Sequence, residues 1–267
     1  MADPVVPAVE RAEPQRLRLL SCNILAGARV GSYRHYVTRV ARQVLPHPDK
    51  QANLDSLVDT IAAFDVVGLQ EADAGSLRSG FLNQTRYLAE AAGMPYWSFQ
   101  PNRRVARMAA SSNGLISRFE PSTVLDYPLP GRIPGRGALL ARYGNGPAAL
   151  AVLVAHLSLG AQSRARQLGF IAELLSDYPN AVMMGDLNSE AGNPEFERLF
   201  QRTRLLLPAA TAPTFPSWQP RRAIDHILVT EGITIERSWA LPMVFSDHLP
   251  VAAHLRLPAG IAIGAMP

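Results

Sequence analysis

The sequence contains little cysteine and little lysine. Cys22 is the only cysteine of the 267 residues, so no disulfide can form within the chain and no zinc site made of cysteine ligands is possible. Lys50 is the only lysine among 26 basic residues, and the arginines do not gather into a basic tail. The formal net charge of +4 therefore points only weakly to a polyanionic partner.

Long apolar stretches are also missing. One of the longest, Ala148 to Ala155, falls well short of the roughly 20 residues that a membrane-spanning helix needs. Residues 1–18 mix proline with charged residues and contain no apolar segment of the kind found in secretory signals. We therefore expect a soluble, cytoplasmic protein. Its hydrophobic content of 48% excludes a disordered chain.

No linker rich in serine, glycine or charge divides the chain, which favours one domain over two. We expect this domain to span residues 16–258, after a flexible segment at residues 1–15 and before a tail at residues 259–267. The sequence shows no internal repeat and no low-complexity segment.

Helical and alternating hydrophobic patterns predict the secondary structure of this domain. Helices are expected at residues 33–45, 49–64, 81–92, 163–178 and 194–200. Strands are expected at residues 17–25, 66–69, 96–100, 112–119, 123–127, 137–143, 148–157, 181–184, 214–216, 223–230, 233–243 and 251–257. The turn at residues 144–147 predicts a hairpin. The arginine-bearing loop 128–137 is equally compatible with a binding rim and with a plain surface loop.

The stretch Gly185-Asp186-Leu187-Asn188 follows the apolar run 181–184, which reads as a buried strand. Ligands of open α/β sheets bind beyond the carboxyl ends of strands, so Asp186 and Asn188 are expected to point into one cleft. An ordinary turn is the alternative, because Asp and Asn are favoured turn residues. A site is favoured because polar residues flank other apolar runs as well. These residues are Asn23, Glu71, Asn113, His156, Asp225, Asp247 and His248.

The set is rich in carboxylate and amide oxygens and contains no thiolate. Such ligands suit a hard cation such as Mg²⁺ or Mn²⁺ better than a structural zinc ion. Histidines add groups that exchange protons, and Asp225 or Asp247 can orient His248 by accepting a ring N–H. Each residue alone is also explained as a hydrogen-bonded structural residue, but the whole set near strand ends is difficult to explain in that way.

Taken in order along the chain, these residues and their neighbours resemble the endonuclease/exonuclease/phosphatase superfamily of DNase I-like metal-dependent hydrolases. The similar elements are Asn23, Leu69-Gln70-Glu71, Ser112-Asn113-Gly114-Leu115-Ile116-Ser117-Arg118, His156-Leu157, Gly185-Asp186-Leu187-Asn188, Thr214-Phe215-Pro216-Ser217-Trp218, Ile224-Asp225-His226-Ile227 and Ser246-Asp247-His248-Leu249-Pro250. The resemblance implies an α/β (α+β) fold, a four-layer α/β/β/α sandwich of two mainly antiparallel, mixed sheets. The active site is then expected at one end of the sheet pair.

The resemblance also implies roles for individual residues. Glu71 would be the main ligand of Mg²⁺ or Mn²⁺, with Asn23 nearby and Asp247 completing or supporting the metal site. Asp186 would orient or deprotonate the attacking water. The residues expected to contact the non-bridging phosphate oxygens are Asn113, Asn188 and His156.

His248, oriented by Asp225, would bind or protonate the phosphoryl group as negative charge develops. Arg103, Arg104, Arg132 and Arg136 are expected to border the cleft and to grip a second phosphate or another anionic group beyond the scissile bond, because an arginine fork matches phosphate oxygens. Solvated surface charge is the alternative for these arginines.

The resulting hypothesis is a Mg²⁺- or Mn²⁺-dependent phosphoesterase, with a phosphodiester as the favoured substrate. The alternatives are a DNA or RNA nuclease of the same fold and a catalytically silent phosphate-binding module, which the presence of Glu71 and His248 disfavours. DNA-repair members commonly have a Trp before the first Asn and a phosphate-contacting Tyr a few residues before the Gly of the middle strand. This chain has Ser21-Cys22 and residues 107–112 there, which argues against cleavage at abasic sites.

Overall fold

The computed structural model describes residues 15–30, 32, 46–132, 134–261 and 263–264. The helix expected at residues 33–45 lies outside these described residues. Within them, the chain forms two six-stranded sheets that share one buried apolar interface, and helices cover the outer face of each sheet. The expected four-layer α/β/β/α sandwich is confirmed.

The first sheet is built, from edge to edge, from β11 (Thr234–Ala240), β12 (Val251–Arg256), β1 (Arg16–Asn23), β2 (Val66–Asp73), β4 (Ala109–Ser117) and β3 (Tyr96–Val105). The central pair, β1 and β2, is parallel, and its other neighbouring pairs are antiparallel. Helix α1 (Pro48–Ala62) lies in the connection between the parallel strands, and α2 (Gln84–Ala91) precedes β3. A helical crossover is the usual way to join parallel strands.

The second sheet is built from β5 (Thr123–Pro128), β6 (Gly137–Tyr143), β7 (Leu150–His156), β8 (Asn180–Asp186), β10 (Asp225–Thr230) and β9 (Leu205–Leu206). Again the central pair, β7 and β8, is parallel and is joined through a helix, α3 (Ala161–Leu175). The flanking pairs are antiparallel, and α4 (Glu195–Arg202) follows β8. The two sheets therefore share one plan.

The interface between the sheets is apolar. Leu19 and Val66 of the first sheet belong to one buried cluster with Val154 and Met184 of the second. Gly68 in β2 makes room for this contact, because a Cβ there would lie 2.9 Å from the side chains of Val154 and Met184. Burying each such aliphatic side chain stabilises the fold by roughly 1.5–3 kcal/mol. The same contacts set the distance between the sheets.

The helices bury one face each against the outer sides of the sheets. In α1 the buried residues Leu54, Leu57 and Ile61 recur at helical spacing and pack with the outer face of the first sheet. Leu168, Ile171 and Leu175 of α3 do the same on the second sheet. No helix of the described segments combines the length and the apolar character that a bilayer crossing requires.

Several boundaries differ from the sequence prediction for local reasons. Helix α2 begins at Gln84 instead of residue 81, because Phe81 has a φ of 63° and the Asn83 side chain accepts the Arg86 N–H at 3.1 Å. That contact is a typical N-cap. Strand β3 continues past a register shift between Pro101 and Arg103, where the apolar alternation behind the prediction ends.

The strand predicted at residues 214–216 is wrong. Phe215 forms an isolated bridge with Arg222, and the Thr214 backbone bonds to Arg222 and, through its carbonyl, to Leu249. Pro216 has no N–H with which to extend a ladder. The segment is a loop that connects the residues just before β10 with the residues just before β12. The short strand β9 was not predicted.

Candidate active site

The two parallel strand pairs end at the same edge of the sandwich. Asn23 closes β1, and Glu71 lies near the end of β2 beside it, where Asn23 pairs with Gln70. In the second sheet His156 closes β7 and pairs in register with Asp186, which closes β8. Because parallel strands deliver their carboxyl ends to one side, polar residues from both sheets meet there.

Gly185 allows β7 and β8 to approach closely beside the site. Its φ is 147°, and a Cβ there would lie 1.9 Å from the carbonyl oxygen of Ala155. No larger residue fits this position without moving one of the strands. The glycine therefore holds Asp186 next to His156, and Asp225 at the start of β10 pairs with Asp186 from the other side.

Asp186 is 2% exposed and is surrounded by hydrogen-bond donors. Its Oδ2 lies 3.2 Å from Asn23 Nδ2, 3.3 Å from His156 Nε2 and 3.8 Å from His248 Nε2, and its Oδ1 accepts the Asn188 N–H at 3.0 Å. Burial alone would raise the pKa of Asp186, but His248, His156 and the Asn188 N–H hold that pKa well below its usual range. Asp186 is therefore an anion at neutral pH.

His248 is the cationic partner of this anion. Its Nδ1 lies 2.9 Å from Asp225 Oδ2, which also accepts the Thr214 hydroxyl at 2.5 Å. Burial would lower the pKa of His248, but the charges of Asp225 and Asp186 and the bond to Asp225 raise that pKa well above 6.5. The Phe215 ring lies 4.9 Å from the imidazole, between centroids. We call Asp186, Asp225, His156 and His248 the Asp186 cluster.

Glu71 and Asp247 form a second part of the site, which we call the Asp247 corner. Glu71 has a left-handed backbone with a φ of 57°, within the register shift between Leu69 and Ala72, and its Oε1 lies 3.8 Å from His156 Nε2. Asp247 is 6% exposed, and its Oδ1 is buried without a hydrogen-bond partner among the described residues. Burial raises the pKa of Asp247 to about 6, and Glu71 adds to this rise while His248 opposes it.

The predicted asparagines differ in what their side chains can still bind. Asn188 has a φ of 51° and donates from Nδ2 to the Leu157 carbonyl at 2.9 Å. Asn113 is fully buried, and its Nδ2 donates to the Gly137 carbonyl at 2.8 Å and to Gln100 Oε1 at 3.2 Å. Both side-chain amides therefore already donate to carbonyls at strand ends, and Asn113 is fully buried.

A cleft of about 620 Å³ opens in front of Glu71 and His156. Of the two predicted arginines that line it, Arg132 is exposed and Arg136 is partly buried with its guanidinium against His156 Nε2. Burial lowers the pKa of Arg136, and nearby Arg103 adds to this effect, while Glu71 and Asp186 oppose it.

Sequence reasoning missed two residues of the cleft region. Arg78 lines the cleft. Asp73, at the end of β2, holds Arg78 in place, because its carboxylate accepts from Arg78 Nε at 2.5 Å. The signal in the sequence was Asp73 followed by Gly75-Ser76, since an Asp whose side chain bonds the backbone two residues ahead is typical of a turn. That pattern predicts the turn but not the arginine that it presents.

Comparison with solved structures finds this fold in several proteins. An endonuclease/exonuclease/phosphatase from Beutenbergia cavernae aligns with a TM-score of 0.69 and 22% identity, over 91% of this chain and 72% of that one. A mannosyl-6-phosphatase from Bacteroides thetaiotaomicron aligns with a TM-score of 0.65 and 17% identity, over 90% and 99%. TDP2 from D. rerio, solved with a single-strand DNA product, aligns with a TM-score of 0.63 and 15% identity, over 90% and 98%.

Among curated proteins, no sequence matches this chain. The sequence model of the Endonuclease/Exonuclease/phosphatase family, in contrast, matches residues 20–248. This range includes every strand-end residue of the Asp186 cluster and of the Asp247 corner, as well as Asn23 and Asn188. The chain belongs to the endonuclease/exonuclease/phosphatase family, whose members are hydrolases of phosphoesters.

Proposed function

We propose that the protein is a Mg²⁺- or Mn²⁺-dependent phosphodiesterase that hydrolyses a P–O bond by in-line attack of water. The observation that carries this proposal is the contrast, at one edge of the sandwich, between a carboxylate whose oxygens have hydrogen-bond donors and a carboxylate with an oxygen that has none in the described part of the chain. Asp186 is surrounded by donors, whereas Asp247 keeps a buried oxygen for which the described residues offer no donor. A buried carboxylate without a partner is costly unless a cation joins it.

The residues of the Asp247 corner fit a hard divalent cation. Glu71 and Asp247 offer carboxylate oxygens, and the Asn23 side chain next to them offers an amide oxygen, which are ligands that Mg²⁺ and Mn²⁺ prefer. Asn23 Oδ1 also accepts the Leu25 N–H at 3.2 Å, which fixes the amide. When bound, such a cation would neutralise phosphate charge and polarise the P–O bond.

Asp186, Asp225 and His248 are a second group with metal-ligand spacing, because their ligand atoms lie within 4.8 Å of one another. Histidine binds a metal through a neutral ring. The carboxylates around His248 favour its protonated form, and its Nδ1 is already bonded to Asp225. We therefore assign the cation to the Asp247 corner and proton chemistry to this group.

In the proposed reaction, Asp186 orients the attacking water and accepts its proton as the new P–O bond forms. The P–O bond to the ester oxygen breaks, and the leaving oxygen takes a proton from water and departs as an alcohol. His248 is protonated, and its Nε2 lies 3.8 Å from Asp186 Oδ2. It donates a hydrogen bond to a phosphoryl oxygen and stabilises the negative charge of the transition state. Asp225 keeps the ring in the required orientation.

His156 and Asn188 hold the remaining oxygens of the scissile phosphate, and Arg136 binds an anionic group beyond the scissile bond. Asn113 supports the first residue of β6, Gly137.

A nuclease of the same fold is the second candidate. The structural likeness to TDP2 solved with single-strand DNA product favours it, as do the arginines along the cleft. The likeness to a mannosyl-6-phosphatase points instead to small substrates. Either substrate would use the same cluster and the same cation.

Hydrolysis of bis-p-nitrophenyl phosphate with Mn²⁺ and with EDTA tests the chemistry, with Asp186→Asn as the inactive control. We expect turnover that requires the cation and that the variant lacks. Nicking of supercoiled plasmid under the same conditions separates the two candidates. Turnover of the small ester without nicking supports a phosphodiesterase of small molecules, and nicking supports the nuclease. The absence of both activities, with Mg²⁺ as well as with Mn²⁺, would refute the proposal.

A further inference from the structure

Asp73 is the most heavily bonded carboxylate near the cleft. It is fully buried and accepts hydrogen bonds along the turn that follows β2 and from β4. The donors are the Gly75 N–H at 3.0 Å, the Ser76 N–H at 2.6 Å, the Ser76 hydroxyl at 2.7 Å, the Ser79 hydroxyl at 2.9 Å, the Ala110 N–H at 3.3 Å and Arg78 Nε at 2.5 Å. This set of bonds fixes the turn that carries Arg78.

Arg78 uses little of its hydrogen-bonding capacity on the residues that the structure describes. A guanidinium has five N–H groups, and Arg78 donates to Asp73 through Nε. Its Nη2 is buried without an acceptor in the part of the chain that the structure describes, and the side chain is 15% exposed. Buried donors of folded proteins almost always have partners, so this guanidinium keeps hydrogen-bonding capacity that the described residues do not use.

The backbone around Arg78 is also held in place. The Leu77 and Arg78 N–H groups donate to the carbonyls of Arg107 and Met108 at 2.9 and 3.1 Å, and Lys50 Nζ donates to the Arg78 carbonyl at 3.1 Å. The arginine is thus fixed by the turn between β3 and β4, by α1 and by Asp73. A donor held in this way loses little conformational entropy when an anion binds.

Arg103 and Arg136 line the same cleft as Arg78. The loop backbone lies against the stem of Arg103, because a Cβ on Gly135, whose φ is 103°, would be 2.8 Å from Arg103 Cβ. Arg103 and Arg136 are close enough to repel each other electrostatically. An anion between the guanidinium groups would remove this repulsion and accept from the donor edge of Arg78.

We propose that Arg78, positioned by Asp73, forms with Arg103 and Arg136 a subsite for a second phosphate group of the substrate, beside the scissile phosphoryl group. Phosphate is the expected anion because its several oxygens can accept paired N–H groups from more than one guanidinium. This inference names the substrate class of the proposed phosphoesterase and rests on that function. The second phosphate can belong to an oligonucleotide or to a small bisphosphorylated molecule.

Binding of inorganic phosphate, measured by isothermal titration calorimetry in EDTA, tests the subsite without turnover or cation. We expect Arg78→Gln to weaken phosphate binding about tenfold. The matched control is Arg86→Gln on α2, because Arg86 is 60% exposed, and it should bind as the wild type does. Absence of phosphate binding by the wild type, or equal binding by Arg78→Gln, would overturn the proposal.

Arg78→Gln leaves Asp73 without its cationic partner, and the variant is therefore checked by circular dichroism. Arg78→Lys is the second variant, since a lysine keeps the charge next to Asp73 but lacks the fork that reaches a further anion. We expect a folded Arg78→Lys protein with the same loss of phosphate affinity. If it is folded and binds phosphate as the wild type does, Arg78 is a structural residue and the subsite is refuted.

Turnover then identifies the source of the second phosphate. A thymidine dinucleotide with and without a 5′-phosphate forms one arm, and a sugar bisphosphate with its monophosphate forms the other. Arg78→Gln should raise KM for the doubly phosphorylated member of the active pair about tenfold and leave bis-p-nitrophenyl phosphate within about twofold. If the wild type hydrolyses nothing, the proposed function fails while the calorimetric result on the subsite still stands.

Discussion

Asp186 and Asp247 are two buried aspartates of one site that are held in opposite ways. The Asp186 cluster supplies its anion with two histidines, an asparagine amide and a backbone N–H, and the pKa of Asp186 falls well below its usual range. In the Asp247 corner a buried oxygen has no partner among the described residues, and burial raises the pKa of Asp247 to about 6. The described residues satisfy the first carboxylate and leave one oxygen of the second without a partner.

This difference divides the proposed catalytic task. Groups that handle the proton and the phosphoryl charge are oriented before the substrate arrives, which is how preorganised sites lower a barrier. The group that would hold a cation is kept unsatisfied, so a cation can bind there with a net gain. Substitutions in the two regions should therefore reduce activity in different ways, through the cation requirement in the Asp247 corner and through turnover in the Asp186 cluster.

The largest effect is expected from Glu71→Gln in the Asp247 corner. The amide keeps the shape of the side chain but removes the negative charge that holds a hard cation. Activity at limiting Mg²⁺ should fall by more than about 100-fold, the upper bound for groups that only support metal ligands. Steady-state rates over a Mg²⁺ titration measure this loss, and a variant with wild-type activity at limiting Mg²⁺ would show that Glu71 is not a ligand.

A smaller loss, confined to turnover, is expected from His248→Ala in the Asp186 cluster. Removing one preorganised donor to a transition-state oxyanion costs about 10²–10³-fold in kcat, and the cation requirement should stay unchanged. His254→Gln on β12 is the control, because that ring packs against Trp239 outside the cleft. Circular dichroism decides between the readings, since an unfolded His248→Ala protein would make this histidine a structural residue.

Asp247→Asn should change stability in a direction that depends on the cation. The folded chain keeps the Asp247 proton up to a pKa of about 6, whereas the ordinary value is 3.8. The contribution of Asp247 to the free energy of unfolding therefore falls as the pH rises from about 4 to about 6, and it stays low above pH 6. In EDTA at pH 7, Asp247→Asn should raise the free energy of unfolding by about 1–3 kcal/mol, and near pH 4 the two proteins should converge.

Saturating Mn²⁺ should reverse this order. The wild type gains about 2.7 kcal/mol at a concentration of 100 Kd, and Asp247→Asn gains less because its cation affinity is lower. Urea unfolding with and without Mn²⁺ measures both differences. A variant that is destabilised in EDTA would contradict the unsatisfied state of Asp247.

The smallest effect is expected at the edge of the cleft, from Arg132→Ala combined with Arg136→Ala. Loss of these guanidinium groups should raise KM for a natural substrate about tenfold and leave kcat for a small activated phosphodiester little changed. The single variants sharpen the comparison, because exposed Arg132 should contribute less than partly buried Arg136, which contacts His156. Equal effects on both substrates would remove the loop from substrate recognition.

The sequence predicted the position of the site better than its internal contacts. Asp186 and His156 were expected at strand ends because each follows an apolar run, and runs of that kind become buried strands. The opposite treatment of Asp186 and Asp247 was not predictable, since it depends on which side chains from distant strands meet each carboxylate. Asn113 was expected to bind phosphate, yet the direction of its amide toward Gly137 depends on how β4 packs beside β6.

Local rules failed where irregular backbone decides the contacts. Glu71 follows Gln70 at the end of the predicted strand 66–69, but a left-handed φ and a register shift change the direction of its side chain. Arg78 is one of many arginines in the sequence, and nothing in its immediate neighbours distinguishes it from solvated ones. Its position is fixed by the buried carboxylate of Asp73, five residues earlier, and by the turn between β3 and β4, about thirty residues later.

Neither sheet carries a complete site, although both follow the same plan. The first brings Asn23 and Glu71, the second brings His156 and Asp186, and the bond from Asn23 to Asp186 crosses between them. The sheets are joined by apolar side chains, whose attraction has no preferred direction. A slide of one sheet over the other would keep the hydrogen bonds within each sheet and still separate the residues that we propose to react. The packing volume of the core therefore sets the alignment of the proposed catalytic residues, and we expect substitutions far from the cleft to change the rate through it.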